Sequence, residues 1–426
     1  MNISFVDGLI AFAYFFSLFI IIYWFIYFLE KKEDIDEEND SEIPKLKKTP
    51  LVTIVIPAYN EEKHIIKTLN SVIKLDYPPK DLEIIVVNDC SKDKTKNIVE
   101  EFIKNKGKGF NIKIINNKKN LGKAESLNVA LKKCKGEFFG CIDADSEVES
   151  DALVRMIHMF EVDHKLAITT PVMKISNPKT WIQKFQRLEY MASTLVSRLM
   201  GYLDTLYVAP GPFSIYKKSV LEKLGGFDGK YNIEDQEIAW RAQKHNFKIR
   251  QCVNAYVHTV GPSNLKHFNR QRTRWYRGSI MNMYHYRKMF FNKKYGDFGM
   301  VQAPIIILSY LMAIISLFAF TYFVILPTIR QIKHWFLIRF DLWTEITSAT
   351  FKINYLDLEI NKLILAYFAL VLTVILLYFA SRSSNDRVRK YGNIYILLYF
   401  FTYYILLGII LLKTIFEIIF RKKQKW

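Results

Sequence analysis

From Leu9 to Leu29 the chain carries no charged side chain, and a run of about twenty apolar residues is what a helix needs to cross a bilayer core. Comparable runs recur at Val301–Pro327, Ile360–Ala380 and Ile394–Leu412. Hydrocarbon offers backbone groups no hydrogen-bond partners, so such segments are expected as helices. The chain is read as an integral membrane protein with its soluble part between the first and second runs. A cleaved signal peptide does not fit the first run. Its apolar region would be too long, and Lys31-Lys32-Glu33-Asp34 is not a small-residue cleavage site.

A formal net charge of +19 raises the question of nucleic acid. No nucleic-acid motif is present, and the basic residues crowd near the apolar runs, as the positive-inside rule expects of cytoplasmic flanks. Nucleic-acid binding is therefore not expected. The cysteines Cys90, Cys134, Cys141 and Cys252 have no metal-type spacing and read as reduced thiols of a cytoplasmic domain.

After the first run, Glu30–Lys48 is charged, contains a proline and has no apolar periodicity, which reads as a flexible tether. Strands and helices then alternate. Strands are expected at Leu51–Ile56 (ended by Pro57), Leu82–Val87, Asn111–Ile115 and Phe138–Ile142, with helices at Glu61–Leu75, Thr95–Asn105 and Ala124–Lys133. This alternation implies a doubly wound, mostly parallel α/β sheet. Ligands of such sheets sit beyond the carboxyl ends of the strands. Here those ends carry Glu61, Asp89, and Asp143 with Asp145. Asp143 and Asp145 can face one hard cation from a turn, and they can equally serve as an acidic helix cap. Neither GxGxxG nor GxxxxGK[ST] occurs, so a nucleotide would not be held as in dehydrogenases or P-loop enzymes. Trp181–Met200 is amphipathic and suits a membrane interface or a buried helix equally well. Leu265–Tyr286 is a strongly basic helix.

Five features taken together resemble the family 2 glycosyltransferases, in particular their membrane-embedded, polysaccharide-synthase-like branch. They are Val52–Glu62 (VTIVIPAYNEE), Val87-Asn88-Asp89, Asp143-Ala144-Asp145, Glu234-Asp235, and a QxxRW pattern formed by Gln271, Arg274 and Trp275. The resemblance covers roughly residues 50–290 and the flanking spans. It implies a GT-A-like domain that uses a UDP-sugar and Mg²⁺ or Mn²⁺ and inverts the anomeric carbon. Tyr59, Glu61 and Asp89 would hold the nucleoside beside Pro57, with Lys123 near the nucleotide. Asp145, with Asp143, would ligate the metal, and Asp235 would be the general base next to Glu234. Gln271 and Arg274 would face the diphosphate, and Trp275 would line the acceptor site. Gly211, Phe213 and Ser214 fall in a segment resembling the acceptor side of hyaluronan and chitin-oligosaccharide synthases. The stretches around Glu234 and Trp275 resemble poly-N-acetylglucosamine synthases.

The domain expectation is a transmembrane helix over 1–30, a charged linker over 31–49 and a cytoplasmic catalytic domain over 50–260. Interfacial helices with QxxRW follow over 261–300, then a membrane region of about three helices over 301–426. In this topology Thr328–Asn361 lies outside and the basic loop Ser381–Asn393 inside, while the tail Arg421-Lys422-Lys423 breaks the positive-inside rule. The expected product is a β-linked polysaccharide, most naturally from UDP-N-acetylglucosamine. The alternatives are transfer of one sugar to a lipid or glycolipid, or a non-catalytic scaffold that binds nucleotide sugars. The short membrane part leaves room for an accessory export subunit or a homo-oligomer.

Overall fold

The computed structural model describes residues 5–231, 233–337 and 360–420. Its centre is one eight-stranded sheet: β1 (Val52–Ala58), β2 (Leu82–Asn88), β3 (Asn111–Asn116), β4 (Phe138–Cys141), β5 (Glu147–Val148), β6 (Leu166–Ile175), β7 (Ser214–Lys217) and β8 (Lys248–Thr259). The order is β3-β2-β1-β4-β7-β6-β8-β5. The β3-β2-β1-β4 half is parallel throughout, β7 runs antiparallel between β4 and β6, and β6 pairs with β8 in parallel. The doubly wound, mostly parallel expectation holds, with β7 inside the sheet and the edge strand β5 reversed.

The two faces of the sheet feed two cores, because successive side chains of a strand point to opposite sides. Ile54, Ile56, Ile84 and Val86 face one core, and Val55, Ile85 and Val87 face the other. Burial on both faces is why these strands read as unbroken β-branched runs. A polar seam also crosses the sheet. Buried Thr53 donates to Glu83 at 2.8 Å, and Lys113 reaches the same carboxylate at 2.7 Å.

The helices of the soluble part are α3 (Ile65–Ile73), α4 (Thr95–Lys106), α5 (Lys123–Leu131), α6 (Ala152–Val162), α7 (Trp181–Tyr202), α8 (Lys218–Leu224), α9 (Glu234–Lys244) and α10 (Leu265–His285), preceded by α1 (Phe5–Glu30) and α2 (Lys32–Asn39). Helix α3 starts at Ile65 rather than Glu61. The intervening turn is held open by Glu61 N donating to Thr95 Oγ1 and Glu62 N to Asp93 Oδ2.

The flexible tether expected over Glu30–Lys48 is corrected. Helix α2 is docked, with Ile35 buried and the Arg198 guanidinium bonded to the Ile35 carbonyl (2.9 Å) and the Glu38 carboxylate (2.7 Å). Further along, Glu161 accepts from the backbone of Lys47 and Lys48. Side-chain contacts to distant elements, invisible to local periodicity, order this segment.

Among the described residues, three helices are long and apolar enough to cross a membrane: Ala11–Glu30, Phe298–Leu337 and Asn393–Ile419. Helix Ile360–Ser383 contains a shorter apolar part, Tyr367–Ser383. The second run does not end at Pro327. A π turn at Thr321–Ile325 leads into helix Leu326–Leu337, and the longer-period turn sits where a proline at 327 cannot support regular α bonding. The tail Arg421–Lys423 and residues 338–359 of the expected external stretch lie outside the described residues.

Helix α7 is buried on both sides. It packs on β6 and β8 and, opposite, on helix Ile360–Ser383. Trp24 and Phe28 of α1 and Ala380 belong to the same core as Val55 and Ile85. The sheet domain and these apolar helices therefore share one apolar core, and burying Phe28 alone contributes about 2 kcal/mol.

Candidate active site

The site begins with two laced loops at the carboxyl ends of β1 and β2. Asn60 and Cys90 both take left-handed backbone conformations. Asn60 N donates to Ser91 Oγ, and Lys92 N donates to Asn60 Oδ1 at 2.8 Å. Tyr59 is exposed on this platform, and Glu61 Oε2 pairs with His64 at 3.1 Å.

Asp89 is buried, and both of its oxygens accept from the following loop. Asn117 Nδ2 (2.8 Å) and Leu121 N (2.9 Å) donate to one, and Gly122 N (2.8 Å) donates to the other. Asp89, expected to hold the nucleoside, thus has both oxygens engaged by the loop that launches α5. Gly122, with φ 85°, makes the turn that delivers Lys123 to the first turn of the helix. A cation there opposes the helix dipole, so carboxylates must hold it. Lys123 Nζ lies 2.5 Å from Asp143 Oδ1 and 3.1 Å from Glu234 Oε1. Burial alone would lower its pKa, but Asp143 and Glu234 outweigh burial and hold the ammonium well above its ordinary value.

The chain crosses closely over this cluster at Gly211. Its carbonyl accepts from the Cys141 thiol at 3.3 Å, and a Cβ at 211 would collide with Lys123 Nζ and press on Asp143. Phe213 follows in the left-handed region (φ 63°), a conformation bulky side chains rarely take outside functional turns. Phe213 and Ser214, expected on the acceptor side, are completely buried, and Ser214 Oγ donates to the Pro210 carbonyl at 2.6 Å. Phe213 fills the core beside Ile54 and Ile215, and Ser214 ties the turn.

Asp145 has little to neutralise it. Its hydrogen-bond partner is Ser146 Oγ at 3.2 Å, and burial first, then Asp143 and Glu61, push its carboxyl up to about 6. Asp235 opens α9 and accepts from Gln236 N at 2.8 Å. Burial and then Glu234 push it up to about 6, with Lys123 and Arg274 opposing. For Glu234 burial acts upward, and Lys123 with Arg274 brings it below its ordinary value. Asp143 and Glu234 thus hold one partly exposed ammonium between them, Asp145 and Asp235 feel its charge, and Glu61 acts on Asp145. Among the described residues no group of three or more His, Cys, Asp or Glu forms a ready metal cage. The donor set nevertheless fits a divalent cation of the Mg²⁺ or Mn²⁺ type. It offers hard carboxylate oxygens with uncompensated charge, and such ions bind through one or two carboxylates plus substrate phosphates.

Helix α10 supplies the rest. Gln271 Oε1 accepts from Gln186 at 3.0 Å, Arg274 is exposed, and Trp275 is half-buried under the Arg272 guanidinium, 4.4 Å from its ring centroid. Sequence reading missed Arg272. It is buried, grips Glu189 of α7 through both terminal nitrogens, and donates to Tyr403 Oη at 3.1 Å. Tyr403 in turn donates to Glu189 at 2.8 Å from the π turn Tyr399–Tyr403 in a candidate span. The signal in the sequence was Glu189, the lone acid of the 22-residue helix α7.

Residues 53–225 match the family described as Glycosyl transferase family 2. Over 275 residues the chain is 30% identical to poly-β-1,6-N-acetyl-D-glucosamine synthases of Staphylococcus epidermidis and Staphylococcus aureus, covering 63% of this chain. It spans 64% of the length of those relatives. Among solved structures, a mannosyltransferase from Pyrobaculum calidifontis, in complex with GDP-Man and Mn²⁺, superposes with a TM-score of 0.57 at 16% identity. That superposition covers 96% of this chain and 100% of the other, and it shows a shared fold. The sheet of this chain, with its acidic strand ends and reversed β7, is accordingly a GT-A-like sheet, and residues 53–225 are a glycosyl transferase family 2 domain.

Proposed function

We propose that this chain is an inverting membrane glycosyltransferase that transfers N-acetylglucosamine from UDP-N-acetylglucosamine to a growing β-linked polysaccharide. The observation that carries the reading is that Lys123 joins the Asp143 and Glu234 carboxylates, while their chain neighbours Asp145 and Asp235 are each pushed up to about 6. Carboxyls with raised pKa in separate environments suit separate roles.

In this reading the oxygen of an acceptor hydroxyl forms a bond to the anomeric carbon. The bond from that carbon to the diphosphate breaks, its electron pair leaves with UDP, and Asp235 takes the hydroxyl proton. A carboxyl with a pKa near 6 is ionised at neutral pH and is a stronger base than a free aspartate. Asp145 and Asp143 are the residues that would hold Mg²⁺ or Mn²⁺, whose chemistry there is to neutralise charge on the departing diphosphate. Lys123 and Arg274 add fixed positive charge on the same side, where preorganised groups act most strongly. The planar fork of Arg274 suits two phosphate oxygens at once. Tyr59 and Pro57 offer the nucleoside an exposed, stiff surface, and Trp275 offers a sugar ring a flat apolar face.

The naming of the staphylococcal relatives supports the sugar and the polymer, while the 64% span leaves the activity of the whole protein as part of the proposal. Arg382, Arg387, Arg389 and Lys390 between two apolar helices support a multi-pass chain with its catalytic domain cytoplasmic. The test is a donor screen. Purified full-length protein is incubated with several UDP-sugars and Mg²⁺ or Mn²⁺, released UDP is measured, and the product is sized. Metal-dependent UDP release with UDP-N-acetylglucosamine and a long product is expected. Release of UDP with a product one sugar longer than the acceptor would refute processive synthesis, and no release from any donor would refute the reading.

A further inference from the structure

At the polar end of helix Ile360–Ser383 lies a cavity of about 600 Å³ lined by Ser381, Arg382, Asn385, Asp386, Arg387 and Lys390. Its walls are built rather than draped. The buried Arg187 of α7 holds the loop through Asp386 (2.5 Å) and the Arg387 carbonyl (2.6 Å), and Ser381 Oγ donates to the Asp386 carbonyl at 2.7 Å. Asn385 takes the left-handed turn that closes the loop (φ 45°). The anion of the cavity, Asp386, is thus matched by Arg187. Arg382 lies 3.4 Å from Asp36, whereas Arg387 and Lys390 point exposed guanidinium and ammonium groups with no carboxylate partner among the described residues. Lys184 sits over the rings of Tyr391 and Tyr395 on the same side. Lys174 feels the same field. Burial lowers its pKa, Glu149 and Asp386 oppose, and Lys390 with Arg187 lower it further.

The helix leading to this cavity has two faces. One carries Leu376, Leu377, Phe379 and Ala380 into the core shared with α7 and α1. The other exposes Tyr367, Leu370, Val374 and Tyr378. These four are spaced three or four residues apart and so lie on one stripe. The next position on that stripe is Arg382. An uncovered apolar track therefore runs along the helix and ends at the basic cavity. A free phosphate would use only the cavity, whereas a lipid would use both.

We propose that this cavity is a binding site for the phosphate headgroup of an anionic phospholipid, whose acyl chains lie along the Tyr367–Tyr378 stripe. Basic pockets beside membrane helices suit anionic headgroups, and the field that attracts them comes from lysines and arginines near the membrane surface. The site is remote in sequence from every residue assigned to the transfer reaction, so it stands or falls independently of the donor and the acceptor.

The test uses full-length protein in detergent, exchanged into mixed micelles holding equal phosphatidylglycerol and phosphatidylcholine, with retained lipid counted by native mass spectrometry. The protein is expected to retain phosphatidylglycerol preferentially. The double variant R387A/K390A is expected to lose that preference by about twenty-five-fold, from two cations contributing roughly fivefold each. Both residues are exposed, and a matching thermal melt confirms that the variant is folded. A second variant, Leu370→Gln with Val374→Gln, tests the track and is expected to weaken retention with the cavity intact. Equal retention of the two lipids by the unaltered protein, or an undiminished preference in R387A/K390A, overturns the proposal. Glycerol 3-phosphate is the soluble competitor. If it displaces the lipid at equal concentration, or if the Gln pair changes nothing, the site serves a soluble anion and the lipid assignment is wrong.

Discussion

Asp145→Asn is expected to make the ligand-free protein more stable at pH 8 while destroying its proposed metal site. The rise of the Asp145 carboxyl from its ordinary 3.8 to about 6 is caused by burial first, then by Asp143 and Glu61. At about 1.4 kcal/mol for each tenfold in proton affinity, that rise costs about 3 kcal/mol once the group is ionised. The residue is partly exposed, so a screened cost of about 2 kcal/mol is the working figure. The sign follows from linkage. Between pH 3.8 and 6 the folded state binds more protons than the unfolded one, so stability falls as pH rises through that window. Asparagine carries no charge and escapes the cost. The variant should melt about 4–8 °C above the parent at pH 8, given about 2–4 °C per kcal/mol for a domain of this size. The gap should close below pH 4, where both side chains are neutral. Thermal unfolding in detergent at pH 4, 6 and 8 measures it. A second arm adds Mn²⁺ at pH 8, which should raise the parent's melting temperature and leave the variant's unchanged. An Asn variant no more stable than the parent at pH 8, or an advantage that persists unchanged at pH 4, would refute the electrostatic reasoning.

Asp235→Asn should abolish sugar transfer while leaving donor binding within about twofold, because an amide cannot take a proton from the acceptor; full activity in a UDP-release assay would remove Asp235 as the base. Gly211→Ala should weaken donor binding by about tenfold or more, since its Cβ would collide with Lys123 and push the ammonium off Asp143; isothermal titration with UDP reads the loss, and unchanged affinity would mean that the close crossing is incidental. Arg272→Met removes one member of a buried ion pair and should destabilise the protein by about 3–5 kcal/mol. Lysine at the same position should recover only part of that loss, because it cannot grip both Glu189 oxygens; a lysine variant as stable as the parent would show that the fork is not used.

The sheet was legible because its strands are buried on both faces, which writes β-branched runs directly into the sequence at Val52–Ile56 and Leu82–Val87. Carboxylates at the strand ends were legible for the same reason, since each follows immediately on such a run. What local reading could not supply was the use to which each acid is put. Asp89 stands at a strand end like Asp143, yet it is consumed by three donors from residues 117–122. Phe213 and Ser214 lie beside Gly211 in sequence but turn into the core. The order of residues 31–49 depends on Arg198 and Glu161, more than a hundred positions away, and no periodicity records such a debt. Helix α7 was ambiguous between interface and core because it has apolar neighbours on both sides, one the sheet and one the apolar helix Ile360–Ser383.

Lys123 touches the carboxylates of both halves of the site, and that shared cation has a consequence for the proposed base. In the ligand-free protein Lys123 and Arg274 restrain the proton affinity of Asp235, against burial and Glu234. A nucleotide diphosphate entering beside Asp143 brings negative charge that competes for the same ammonium. To the extent that Lys123 turns toward the phosphates, Glu234 and Asp235 lose their counter-charge, and Asp235 becomes a stronger base when donor is bound. Moving the ammonium by a few ångströms at an effective dielectric near 20 changes the interaction by roughly 1 kcal/mol, or close to one pH unit. The free enzyme governs the pH dependence of kcat/KM and the donor complex that of kcat. Activity must rise with pH as Asp235 ionises, so the rising limb of kcat/KM should fall near pH 6 and that of kcat about one unit higher. Lys123→Met should bring the two limbs together, with the limb of the free enzyme shifted upward. Coincident limbs in the unaltered protein would mean that Lys123 stays with Glu234 through the reaction, and that the donor and acceptor halves of the site are electrostatically independent.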